Sequence, residues 1–465
     1  MSQPVFSFLS SLLDIGDEYL VRKPLFILGK QGIKVRYMFL KLPRTQAVTI
    51  YAGILWVIPI ALVSPFTSPY MTALGFSDTE VGAYQSSIRV IPILFLILGG
   101  YLTDTWGRKQ TLIFFDFISW GAYSLLLALA FSKWWCVAAL LVFTSNFGSN
   151  PPYQCLLIEG VKEKKRAIVY TVLAMVNLSP ALFFLPLLGG IWVEKRGLIE
   201  ANHEMYWLQL VMTMVGMWLR LKYLPSTGQF EQAPGAWWHA FRDGSRQYYT
   251  AMKDYFKKPA AKVILASKFI DEWILFIWGI YSSLYFTHYL GMKVSYLSIL
   301  GPVSAYVAFL VLFIVIPSIP SRKIMKILGV DQIFGLFALG VLLLLTKGGG
   351  NVLLVALFSA GFGAAGVVLY ASVSLAAWMS IIGEKERAKV YSVSWAFIMV
   401  GIAITGPWAS YLYGHVSPVA LIWLMMGLRV IAFLLLRRAA AILSPAGPAK
   451  IPASPPEFPQ STVGG

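Results

Sequence analysis

The sequence predicts an all-α integral membrane protein in which twelve transmembrane helices form two pseudo-symmetric six-helix bundles. Three observations carry this expectation. Hydrophobic residues make up 58% of the chain and charged ones 13%, whereas a soluble globular protein is near half apolar and a quarter charged. Twelve apolar segments lie near 46–72, 80–103, 110–131, 134–158, 168–193, 205–222, 262–290, 295–319, 329–346, 351–379, 389–412 and 416–436. Each is long enough to cross about 30 Å of hydrocarbon as a helix. Finally, one passage occurs twice. Glu163, Arg166, Ala167, Val169, Tyr170 and Val172 return in the same order as Glu384, Arg387, Ala388, Val390, Tyr391 and Val393, and Pro186 returns in register as Pro407. A charged turn leading into an apolar run, kept at fixed spacing, is what a duplicated block of membrane helices leaves behind.

In chain order, residues 1–44 mix Arg22, Lys23, Lys30, Lys34, Arg36, Lys41 and Arg44 with apolar side chains. That composition suits an amphipathic segment on the cytoplasmic leaflet rather than a cleavable signal. Residues 45–222 are expected to form the first bundle. In 223–260, Trp237, Trp238, Phe241, Tyr248 and Tyr249 alternate with Arg242, Arg246, Lys253, Lys257 and Lys258, which predicts a cytoplasmic linker containing an interfacial helix. Residues 261–437 are the second bundle, and 438–465 a disordered Pro-rich tail. The outer turn after the first span, Leu74-Gly75-Phe76-Ser77, has its counterpart after the seventh in Leu290-Gly291-Met292-Lys293.

The net charge of +17 does not point to nucleic acid. With both termini cytoplasmic, most Lys and Arg fall on the cytoplasmic side of short loops, where they set topology and meet anionic lipid. The two cysteines, Cys136 and Cys155, share the fourth span and stand about 28 Å apart on one helix, beyond disulfide reach. No metal-ligand spacing, phosphate-cradling loop or nucleophile–base arrangement is read. Neither an enzyme nor an ATP-driven pump is expected, and no cofactor or metal.

Between the second and third spans stands Gly100-Tyr101-Leu102-Thr103-Asp104-Thr105-Trp106-Gly107-Arg108-Lys109. Here Gly100 allows close helix contact and Gly107 a tight turn, while Asp104 at a membrane edge needs a helix N-terminus or a basic partner. The loop resembles the signature loop of the major facilitator superfamily, with Gly100, Leu102, Asp104, Gly107, Arg108 and Lys109 all fitting. The resemblance implies a cytoplasmic gate, with Asp104 held by the start of span eleven or by Arg166. It also implies that spans one, four, seven and ten surround a central cavity. The second-half counterpart, Ser321-Arg322-Lys323, lacks the acid, so the halves are not expected to gate alike. Leu185-Pro186-Leu187-Leu188-Gly189-Gly190 is similar to the glycine-proline element of proton-driven exporters in that superfamily, with Leu185 in place of its first glycine. Thr144 stands near where such exporters carry an arginine.

Ionisable groups at bilayer depth are costly and mark function or pairing. Asp271 and Glu272 lie about 15 Å into span seven, with Lys268 one turn earlier; with Asp116 in span three they are the proton-coupling candidates. Arg89 lies deep in span two. Span four carries Asn146, Asn150 and Gln154 on one face, before a kink at Pro151-Pro152. Span seven carries Trp278, Tyr281, Tyr285 and Tyr289 on another. Arg89, Asn146, Asn150, Gln154, Trp278, Tyr281 and Tyr285 are the substrate-binding candidates. Together these features predict a monomeric, proton-coupled secondary transporter of the cell membrane. It would move a small organic solute by alternating access, with export by antiport favoured. Its partners would be solute, protons and lipid. Two alternatives stay open: an importer of sugars or organic acids with Arg89 as the anion hook, and a transporter-like receptor or lipid-handling protein that does not cycle.

Overall fold

A computed structural model describes residues 42–159, 181–225, 255–311, 327–344, 351–374 and 387–443, with a few isolated positions between them. The expected amphipathic N-terminal segment and most of the interdomain linker lie outside the described residues. So do most of the first copy of the repeated passage, Glu384 at the start of the second, and Ser321-Arg322-Lys323. The described residues are helical throughout, and no strand occurs among them.

The helical runs are α1 (Arg44–Ala73), α2 (Asp78–Thr103) and α3 (Arg108–Ala128); α4, made of Lys133–Phe143, a tighter turn over Thr144–Ser149, and Asn150–Ile158; α5 (Ala181–Arg196) and α6 (Leu198–Tyr223). They continue with α7 (Pro259–Leu284, extended by Tyr285–Tyr289), α8 (Val294–Leu310), α9 (Val330–Leu343) and α10 (Val352–Val373). The last two are α11 (Arg387–Tyr411, extended by Leu412–Val416) and α12 (Pro418–Leu443). Six runs, in α1, α2, α3, α10, α11 and α12, are long and apolar enough to cross a membrane. The other runs fall short for visible reasons. Helix α7 carries Lys262, Lys268, Asp271 and Glu272, α6 carries Glu200, Glu204, Arg220 and Lys222, and α4 is broken at its centre. That break falls just before Pro151-Pro152, where the missing N–H donors interrupt the helical ladder. Helix α12 continues past 437 to Leu443, because Ala439 packs with Ala261, Ile264 and Leu265 of α7.

The first six runs pack on one another through α1–α6 and α1–α5, the last six through α7–α12 and α9–α10. Two seams join the sets, α2 against α11 and α5 against α8. Both seams run on small residues. A Cβ built on Gly406 of α11 would overlap Ser86 of α2, and one on Gly82 would overlap Tyr281 and Ser410. In the other seam Gly190 lies against Ser298. Such close approach gains dispersion contacts that lipid cannot supply. One apolar core then runs across both sets, from Phe66 and Tyr70 on α1 through Ile277 and Ile280 on α7 to Ile398 and Ile402 on α11.

At one end of the molecule the matched turns take the same form. Gly75 (φ 100°) and Gly291 (φ 72°) both adopt left-handed backbone, which only glycine enters without strain. Each turn closes back on its helix, Phe76 N–H donating to Met71 O (3.2 Å) and Met292 N–H to Phe286 O (2.8 Å). Two ion pairs latch the sets together at this end. Asp78 of α2 meets His288 of α7 at 2.8 Å, and Glu194 of α5 pairs with Lys293 before α8. The Glu194 hydrogen bond holds the Lys293 ammonium above its ordinary range, so Lys293 stays charged across physiological pH.

A third pair lies inside the first set. Asp116 of α3 and Arg220 of α6, each about 4% exposed as side chains, form an ion pair. The guanidinium also sits 4.3 Å from the centre of the Trp56 ring. Removing one partner of such a pair strands the other charge at a cost of about 3–5 kcal/mol, whereas replacing both with apolar residues is often neutral. Arg220→Leu is therefore expected to lower the thermal unfolding midpoint of the purified protein sharply, and Asp116→Leu/Arg220→Leu to recover most of the loss. At the seam, Gly406→Leu should cost about 1–3 kcal/mol through overpacking, read in the same assay. Gly427→Ala on α12, where a Cβ meets nothing within 4 Å, should leave the midpoint unchanged or higher.

Candidate functional site

The charged residues of helix α7 face two ways. Lys268 and Glu272, four apart, share a face and pair at 3.2 Å. The Tyr370 hydroxyl of α10 donates to the same Glu272 oxygen at 3.1 Å, and the Lys268 ammonium lies 4.8 Å from the Trp395 ring centre on α11. This face clamps α7 to α10 and α11. Asp271 points elsewhere, toward α9 and α12. Its Oδ1 accepts from Gln332 Nε2 at 2.7 Å and lies 3.5 Å from Arg429 Nη1. Gln332 Nε2 also donates to Asp331 Oδ2 (2.7 Å), while its carbonyl accepts from Arg429 Nη1 (3.0 Å). One amide thus bridges two carboxylates and a guanidinium, spending both of its N–H donors and its acceptor.

The compensation is incomplete. Asp271 is 2% exposed, and its Oδ2 is buried with no hydrogen-bond partner, as is Arg429 Nε. An unpaired buried polar atom costs about 1–3 kcal/mol, and more when charged. The first half shows the contrasting arrangement. Arg429 stands on α12 as Arg220 stands on α6, 209 positions on, and Asp331 stands on α9 as Asp116 stands on α3, 215 positions on and within one of the spacing of the two matched turns. At the same spacing, Asp271 stands where Trp56 faces Arg220. Arg220 serves one acid and an aromatic face. Arg429 stands among two acids and an amide.

Two cavities flank α7. One, of about 450 Å³, lies among α7, α8, α9, α10 and α12 and reaches Arg429, Trp278 and Ser304. The other, of about 520 Å³, lies among α1, α2, α7 and α8 and is lined by Arg89, Gln85, Ser68, Phe276 and Ser283. Leu275, Ser282, Leu300 and Gly301 line both, so the cavities share a wall. Arg89 lies 4.2 Å from the centre of the Phe276 ring. Among the described residues it has no hydrogen-bond or ion-pair partner.

Other sequence-predicted residues fall in different places. Of the aromatic row on α7, Trp278 faces a cavity. Tyr281, fully buried, stacks on Tyr413 at 4.2 Å, and Tyr285 is buried against Tyr289 at 5.2 Å. Both tyrosines consolidate packing, Tyr285 within the second set of helices and Tyr281 also against Gly82 of α2 across the seam. In α4, Asn146 accepts from Trp120 Nε1 at 3.0 Å. Asn150 and Gln154 are exposed, and none of the three lines either cavity. In the signature loop, Gly107 (φ 93°) opens α3, Lys109 Nζ donates to the terminal carbonyls Leu221 O and Leu224 O of α6 (2.7 Å each), and Arg108 pairs with Glu159 at 2.7 Å. The close helix contact expected of Gly100 is made instead by its neighbour. A Cβ on Gly100 meets nothing within 4 Å, whereas one on Gly99 would overlap the Gly148 backbone. Leu102 closes the last turn of α2, its carbonyl accepting from Trp106 N–H at 2.8 Å. The Asp104 side chain and Arg166 lie outside the described residues. Gln332, Asp331, Arg429, Arg220 and Tyr370 were missed in the sequence. Only Asp331 had a signal there, the repeat spacing that sets it against Asp116.

Several solved structures share this architecture. A structure described as a peptide transporter of the POT family aligns with TM-score 0.67 at 12% identity, over 86% of this chain and 96% of that one. A structure reported for substrate recognition in proton-dependent oligopeptide transporters aligns with TM-score 0.62 at 15% identity, over 86% and 98%. The nucleoside transporter NupG aligns with TM-score 0.60 at 15% identity, over 85% and 100%. No curated protein matches the sequence. The family model described as Major Facilitator Superfamily matches residues 49–371. By that match, which covers more than half of its length, the chain belongs to the Major Facilitator Superfamily.

Proposed function

We propose that this superfamily transporter is a proton-coupled secondary carrier of a small organic solute. In this reading all twelve helical runs cross the membrane, and two six-helix bundles rock about the α2–α11 and α5–α8 seams. The observation that carries the coupling is Asp271, a buried carboxylate with one oxygen unpaired beside a guanidinium shared with Gln332. Adding a proton to Oδ2 removes an uncompensated charge from a low-dielectric site. Losing it leaves Arg429 as the counter-ion. A carboxylate that gains or loses a proton according to which side admits water is the element that proton coupling requires. Glu272 is held by Lys268 and Tyr370 and transmits the state of α7 to α10 and α11. Asp116, matched by Arg220, is structural in this reading.

With the termini placed in the cytoplasm, as the Lys and Arg distribution favours, the Asp78–His288 and Glu194–Lys293 latches close the outer side. Gly189 and Gly190 of the partial exporter element pack α5 against α1 and α8, and export remains the direction that element supports. Import of organic acids is the second reading, and Arg89 in its cavity favours it. The proton-dependent oligopeptide transporters among the structural relatives support coupling as well.

Solutes that stabilise the purified protein in a thermal-shift screen should be accumulated by proteoliposomes under a pH gradient. Asp271→Asn is expected to abolish gradient-driven accumulation, at least 10-fold, while solute exchange without a gradient persists. Unchanged gradient-driven flux in Asp271→Asn, Glu272→Gln and the double variant would remove both carboxylates from the mechanism.

A further inference from the structure

Resting on the transporter reading, we propose that the α1–α2–α7–α8 cavity is a binding site for a small organic monoanion, recognised by Arg89. Four observations carry this. The guanidinium is the one charged group lining the cavity among the described residues, and no carboxylate shares the walls. The buried acids Asp116 and Asp271 are engaged elsewhere, Asp116 by Arg220 and Asp271 by Gln332 and Arg429. Its contact with Phe276, at 4.2 Å, favours the cation electrostatically but supplies no lone pair for its N–H groups. Around it stand further donors: the Gln85 amide, whose contact is a weak one to Met71 sulfur at 3.4 Å, and the hydroxyls of Ser64, Ser282 and Ser283.

A permanently charged guanidinium at this depth requires an anion or water. The site lies eleven residues along α2 from Asp78, about 16 Å from that end of the molecule, near the middle of the bilayer. A carboxylate or phosphate oxygen pair fits the planar fork of Arg in a bidentate manner. One cation without an acid selects a single negative charge. The remaining lining, with Phe276, Leu275, Leu297 and Ile280, suits an apolar or aromatic body behind that charged head. A volume of about 520 Å³ falls within the range of small-molecule sites.

The placement also bears on coupling. Phe276 under Arg89 is five residues, about 7.5 Å along the axis, from Asp271 on the same helix. The two cavities share Leu275, Ser282, Leu300 and Gly301. An anion settling on Arg89 therefore presses on the element that holds the proton site.

The test is equilibrium binding by the full-length protein in detergent or nanodiscs, without a gradient, using the monoanions benzoate and benzenesulfonate and the neutral isostere benzamide. Benzoate or benzenesulfonate is expected to raise the thermal midpoint, and benzamide to leave it unchanged. Arg89→Gln should weaken anion binding by about 10- to 100-fold, the worth of a lost charge-assisted contact. Arg89→Lys, which keeps the charge but not the fork, should fold and bind more weakly than wild type. Equal stabilisation by anion and amide, no stabilisation by either anion, or full anion binding in the two Arg89 variants would each overturn the proposal. These outcomes are separable from the coupling reading. Unchanged gradient-driven flux in Asp271→Asn would sink the proton assignment and leave Arg89-dependent binding intact, whereas loss of anion selectivity would do the reverse.

Discussion

A guanidinium held away from water has to be answered by negative charge, and three arginines in this protein are answered in three different ways. Arg220 is answered fully, by Asp116 and the face of Trp56. Arg429 stands beside Asp271 and within the field of Asp331, with Gln332 distributing hydrogen bonds between them. Among the described residues Arg89 is answered only by a ring. In a medium where each uncompensated charge costs several kcal/mol, these differences sort the residues into fixed and changeable. The matched pair is scaffold. An over-supplied or under-supplied arginine is where protons and anions have something to correct.

In the proposed cycle the scaffold would translate such corrections into movement, because the two sets of helices touch through small residues and few charges. Gly82, Ser86 and Gly406 bring α2 and α11 close enough that the contact is either made or lost. Rigid packing of this kind does not deform gradually. Helix α7 takes part in all of it: Ser68 of α1 donates to Ile280 O at 3.0 Å, Trp273 Nε1 donates to Thr405 of α11 at 2.8 Å, and Lys268 and Asp271 reach α11 and α12. A change in protonation on α7 is thus felt at once by both sets.

Much of this was legible in the sequence, where local rules decide. Apolar length marked the helices, Gly75 and Gly291 marked two equivalent turns, Pro151-Pro152 marked the break in α4, and the four-residue spacing marked the Lys268–Glu272 pair. What could not be read was which face meets which neighbour. Trp278, Tyr281 and Tyr285 do lie along one side of α7, but α11 covers Tyr281 and leaves Trp278 facing a cavity. Asp116 stood as a lone acid because its partner is 104 residues away on α6. Gly100 and Gly99 are indistinguishable as letters, and only the approach of Gly148 decides between them. Helical periodicity specifies a direction around one axis, while function depends on the crossing of several.

A duplication of the kind the repeated passage implies would explain why the asymmetry sits where it does. If the ancestral unit carried an acid on its third helix and an arginine on its sixth, both descendants had a stable buried pair from the start. Either copy could then acquire a second acid on its first helix without losing its fold, since the original pair continued to hold the helices together. Position 56 carries Trp and position 271 carries Asp. A mutation that would be ruinous beside a lone arginine is tolerable beside one already paired, because the newcomer can be discharged by a proton rather than by a rebuilt site. On this view, the redundancy of a repeated structural pair is what makes room for a titratable group in hydrocarbon.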